Sequence, residues 1–195
     1  MKNLLIFIFL ILVFQTNLRA NEIKEFEIEG FSLGESLLNY YSEEKIQSFY
    51  KNTSYYRDNI FGVIFVDKKS NLYDRIQITL KPKDKKHTIF ALEGIIDFDG
   101  KIEQCRKKRE IIISDIEKIF SDYERMDDDG IYQADKTKNS FSFTSWFFLK
   151  SGGFISVECT QMGKEVREMN GWTDELSISI TSEELETFLR GDPYN

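Results

Sequence analysis

SFSFTSWFFLKSGGFISVECT, residues 140–160, decides the fold. Two runs rich in aromatic and β-branched residues flank Ser151-Gly152-Gly153, and a Gly-Gly pair in such a setting is a hairpin turn. A strand over 140–150 therefore doubles back into a strand over 154–160. In the return strand Ile155, Val157 and Cys159 share one face, because side chains alternate along a strand. The hairpin makes the pairing antiparallel, and the rest of the chain is fitted around it.

On the C-terminal side, residues 161–172 read as a polar loop containing Trp172. Leu176, Ile178 and Ile180 then alternate with Ser177 and Ser179 in another strand. Thr181 with Glu184 has capping-box spacing and opens a last helix, stopped by Gly191 and Pro193. On the N-terminal side, residues 126–139 are acidic, then polar, and read as loop. Before them a long helix is expected over 101–123, with the stripe Ile102, Cys105, Ile112, Ile116, Ile119, Phe120 and Tyr123. Strands are expected over 60–66, 72–80 and 88–98, joined by short turns that favour a meander. Residues 51–59 read as loop, and Ser42 with Glu43 and Glu44 starts a short helix. Residues 26–29 read as a short strand, after which Ser32 caps a helical turn and Glu35 answers it.

This ordering argues for an α+β fold. The expected architecture is an antiparallel sheet of about six strands, as one sheet or two three-stranded units. One long helix and short terminal helices pack on it.

Residues 1–20 carry Lys2, an apolar run over 4–14 and Ala20, the pattern of a secretory signal peptide. Residues 21–195 then form a single α+β domain, exported to the periplasm or outside the cell, with no stable membrane insertion after cleavage. Without Lys2 and Arg19 the chain has 24 basic and 33 acidic side chains, a net charge of −9. Such a balance argues against nucleic acid as a partner.

Two hydrolase-like signatures overlap near the start. Gly30-Phe31-Ser32-Leu33-Gly34 fits the G-x-S-x-G elbow, and Gly34-Glu35-Ser36-Leu37 resembles the first block of the SGNH hydrolases. An elbow needs a sheet built before it, yet few residues precede Ser32. The SGNH pattern needs Asp where Glu35 stands and a late D-x-x-H, and the single histidine of the chain is His87. A serine without a base is a weak nucleophile. The leading expectation is a non-enzymatic binding or interaction module. A small serine hydrolase using Ser32 or Ser36 is the alternative.

The run IEGFSLGESLL, with Ile102, Glu103 and Cys105 further on, resembles a group of small exported bacterial proteins of unknown function. These share an I-E-G-x-S-x-G-[DE]-S-L-L start and an I-E-x-C on a helix. The resemblance implies secretion and a common fold, and brings no catalytic residues. The G-x-S, helices and meander are also distantly similar to the SmpA outer-membrane assembly lipoproteins, without their lipid-acceptor cysteine.

Cys105 lies on the helical stripe and Cys159 on the inward face of its strand, so both thiols should meet in one helix–sheet seam. In an oxidising compartment they form a disulfide. Asp97-x-Asp99-Gly100 and Asp127-Asp128-Asp129-Gly130 hint at calcium loops but lack the remaining ligands, and both read as turns. No metal site or cofactor is called for. Tyr40, Tyr41, Tyr50, Tyr55 and Tyr56 cluster as a candidate binding surface for a protein or small ligand, or else as padding between helices and sheet. Residues 81–87 (KPKDKKH) read as a solvated hairpin tip.

Overall fold

Alternation in each strand sorts the side chains of this chain into two chemically opposite layers. The computed structural model describes residue 23 and residues 26–67, 70–191 and 193; the leader read over 1–20 lies outside the described residues. A small ribbon pairs β1 (Glu27–Ile28) with β2 (Phe31–Ser32). The main sheet has eight antiparallel strands: β3 (Ser54–Tyr55), β4 (Gly62–Val66), β5 (Arg75–Leu80), β6 (Ala91–Asp97), β7 (Tyr123–Ile131), β8 (Phe141–Leu149), β9 (Phe154–Gln161) and β10 (Glu175–Thr181). Their order is β3-β4-β5-β6-β10-β9-β8-β7. Two consecutive meanders, β3 to β6 and β7 to β10, therefore share one sheet and meet where β6 runs against β10. The fold class is α+β, and the choice between one sheet and two units resolves into one sheet made of two runs.

Ile64, Ile78, Leu92, Ile180, Ile155 and Phe147 stand directly opposite one another across six strands. All six are fully buried. Burial of such side chains is worth about 1.5–3 kcal/mol each, so this row is the spine of the core. Helix α1 (Glu43–Phe49) packs beside β4, and α2 (Ile102–Ile119) lies over β9 and β10. Cys105 of α2 is bonded to Cys159 of β9, with Cα atoms 6.0 Å apart. Helix α3 (Lys164–Asn170) precedes β10, and α4 (Glu183–Arg190) folds onto the opposite face of the sheet, where Leu185 meets Phe61 and Ala91.

Several local expectations need correction. Ser32 is paired in β2, not at a helix start; Ser36 is the cap, accepting a bond from the Leu38 N–H at the head of a 3₁₀ turn over Leu37–Asn39. The positive φ of Glu29 (54°) and Gly30 (78°) makes the tight β1–β2 reversal. Ser182, rather than Thr181, caps α4. Asp127, Asp128, Asp129 and Gly130 sit within β7, a sheet edge, where charged side chains reach water on both faces. The polar stretch 161–172 contains α3, whose single buried residue Val166 gives no readable period. On α2, Ile119 is exposed, whereas Arg109 and Ile113 are buried. Arg109 donates to the Ser145 hydroxyl and the Val157 carbonyl inside the seam, and Glu110 at 2.7 Å and Asp127 at 3.9 Å match its charge.

Candidate functional site

The second face of the same strands carries hydroxyls and carboxylates where an apolar layer would be expected. One cross-sheet row reads Phe65, Gln77, Glu93, Ser179, Ser156 and Trp146. The next reads Arg75, Ile95, Ser177, Glu158 and Thr144, and a third Asp97, Glu175, Thr160 and Ser142. No helix lies over the middle of these rows among the described residues; α4 covers one margin, with Leu185 and Leu189 at its lip. The result is a groove with two adjoining cavities that share Gln77.

The first cavity, about 220 Å³, has a floor of Thr144, Ser156, Ser177, Ser179 and Thr181, with Glu93 and Glu158 rising from it. Trp146 and Phe154 pack edge to face at 5.1 Å on one wall, and Tyr56 stands opposite. The hydroxyls are organised: Thr144 donates to Glu158 at 2.6 Å, Thr160 donates to it at 3.0 Å, and Ser156 and Ser179 bond each other at 2.7 Å. The second cavity, about 400 Å³, is lined by Phe65, Tyr132 and Trp172 around an ion-paired centre. There Arg75 bridges Asp97 at 2.6 Å and Glu175 at 2.7 Å. Trp172 is held by its neighbours: Thr173 donates to Asp97, and buried Asp174 accepts from the Met162 N–H and the Arg167 guanidinium.

Glu93 is the electrostatic centre. Protein crowds it on every side, although groove water reaches part of it. That desolvation, then repulsion from Glu175 and Glu158, pushes its carboxyl up to about 7 against the pull of Ser177 and Arg75. Burial also raises Glu175, less so because Arg75 holds its charged form. A carboxyl that exchanges its proton near neutrality in a concave site marks a place for chemistry or binding.

The residues singled out from the sequence lie elsewhere, with one exception. Tyr56 lines the first cavity and packs on Phe188 at 5.9 Å. Tyr40, Tyr41 and Tyr50 pack against the main core. Tyr40 packs against Phe31 at 4.6 Å with the rings tilted and donates to the Gly30 carbonyl; burial, then Glu35, lifts its hydroxyl up to about 12. Tyr55 is exposed. Ser32 is buried in β2, and the Ser36 hydroxyl donates to the Lys86 carbonyl. His87 is buried rather than solvated at its hairpin tip, with its ring nitrogens bonded to Tyr50 (3.2 Å) and Glu43 (3.0 Å). Among the described residues no group of three His, Cys, Asp or Glu side chains is placed to hold a metal ion, and no helix is long and apolar enough to cross a membrane.

Glu93, Glu158 and the serines of β9 and β10 were not legible as a site. The available signal was a lone glutamate inside each of two largely apolar strands, ALEGIID and FISVECT. No protein-family model matches this chain, and no match was found among curated proteins or among solved structures.

Proposed function

We propose that this chain is an exported, non-enzymatic binding module that takes its ligand in the groove on the open sheet face. The observation that carries the reading is the cavity of about 220 Å³ floored by ordered hydroxyls and two glutamates and walled by Trp146, Phe154 and Tyr56. A concave, mostly preformed site with a few convergent polar groups and aromatic walls is the usual form of a small-molecule site. Export is supported by the disulfide, since such bonds persist in oxidising compartments.

Trp146 and Trp172 are the only tryptophans in the chain and stand at the two ends of the groove, so intrinsic fluorescence reports on both. A fluorescence and thermal-shift screen of small polar compounds is expected to give hits that Ser179→Tyr, which fills the floor, abolishes without unfolding the protein. Hits that persist in Ser179→Tyr would remove the groove from the account. Turnover of ester substrates that is lost in Ser32→Ala or Ser36→Ala would replace the binding reading with a hydrolase.

A further inference from the structure

Two carboxylates stand in the first cavity, Glu93 and Glu158, and among the described residues no lysine, arginine or histidine lines it. The second cavity differs, because Arg75 is shared there between Asp97 and Glu175 and offsets one of the two charges. Charge imbalance is thus greatest in the pocket walled by Trp146 and Phe154, whose lining carries two carboxylates and no cation. Carboxylates drawn partly out of water are costly unless a cation matches them, and Arg75 offsets Glu93 only in part. Aromatic faces beside them attract ammonium groups and repel anions.

The geometry points to a small aliphatic diammonium compound as the ligand of this cavity, one ammonium at Glu93 and the other at Glu158. This assignment rests on the groove being the binding site. Register gives the span. Glu93 faces Ser179 on β10, and Glu158 faces Ser177, the neighbouring position on the same face of β10. On an ideal sheet the two glutamates are two strands and one pleat repeat apart, about 12 Å between Cα atoms. A flexible linear diammonium chain bridges that distance once the side chains lean inward. Its methylenes would lie along the Trp146 ring, and its N–H groups would meet hydroxyl oxygens already oriented by Ser156, Ser179 and Thr144. A cavity of about 220 Å³ suits a ligand of this size better than a folded partner.

Occupancy should depend on pH. The charged and titratable groups facing Glu93 are Arg75 from β5, Glu175 from β10 and Glu158 from β9, and α4 presents only Leu185 and Leu189 to the cavity. Protonation of Glu93 removes one of the two counter-charges, so binding weakens as the solution is acidified through neutrality.

Calorimetric titration of cadaverine (1,5-diaminopentane) into the disulfide-bonded protein tests the assignment. Binding is expected at about pH 8, weaker by about tenfold or more in Glu93→Gln and in Glu158→Gln. A comparable loss is expected in the wild type at about pH 5.5. Far-UV circular dichroism and melting of each variant keep loss of binding separate from loss of fold. Absence of cadaverine binding, binding indifferent to both glutamine variants, or equal binding of the dianion glutarate would overturn the ligand class. If a neutral or anionic compound were instead displaced by Ser179→Tyr, the groove would stand and the diammonium assignment would fall. If no compound responded to Ser179→Tyr, both would fall.

Discussion

Glu93 and Gly94 are neighbours on β6 with opposite duties. Glu93 faces the groove and binds a proton more tightly folded, at about 7, than its ordinary value of 4.5. The folded state therefore holds more protons than the unfolded state between these values, and stability falls as pH rises through them. Glu93→Gln removes that slope. Relative to wild type it should gain on the order of 1–2 kcal/mol at about pH 8, after discounting for groove water, and nothing below about pH 4.5. Urea unfolding at several pH values checks this; a slope shared by both proteins would contradict it. Gly94 faces the core, where the Tyr73 ring lies 2.4 Å from the place a Cβ would take. Gly94→Ala should cost about 1–3 kcal/mol by overpacking. An unchanged unfolding midpoint would mean the Tyr73 ring moves aside freely.

At the level of elements, legibility followed period and burial. The hairpin of β8 and β9, the strand β10 and the helix α2 were readable because each alternates or repeats against one apolar layer, although the helix stops at Ile119 and Tyr123, read as its end, opens β7. The pairing of Cys105 with Cys159 was readable for the same reason. Strand β7 was not, since an edge carrying Glu124, Asp127, Asp128 and Asp129 needs no apolar alternation and looks like a loop. Arg109 escaped notice because the partners that draw it inward, Ser145 and the Val157 carbonyl, lie on strands far along the chain, while its neighbour Glu110 pairs with it locally. The candidate site was less legible than the fold: Glu93 gains meaning only when β6 is set against β10, a contact that local pattern does not encode. The disulfide joins residues 54 positions apart. By loop entropy the link contributes about 4 kcal/mol. Cys105→Ala with Cys159→Ala, or reduction, should lower the urea midpoint accordingly, and wild type should be indifferent to reductant only if the bond is absent in solution.

Across the whole molecule, one sheet carries two chemistries back to back. One face is a continuous apolar layer from Ile64 to Phe147, closed by α1 and α2. The other carries Gln77, Glu93, Ser179 and Ser156 towards water. The stable face lets the other keep polar groups that would be poor packing elements. The covalent tie also encloses a definite piece of chain. Lys136 and Lys138 are exposed in the loop between β7 and β8, inside the span that the tie closes. Trypsin cutting there would leave two fragments, and they should migrate as one band on a denaturing gel until a thiol is added. Two bands without thiol would show that the sulfurs were never joined.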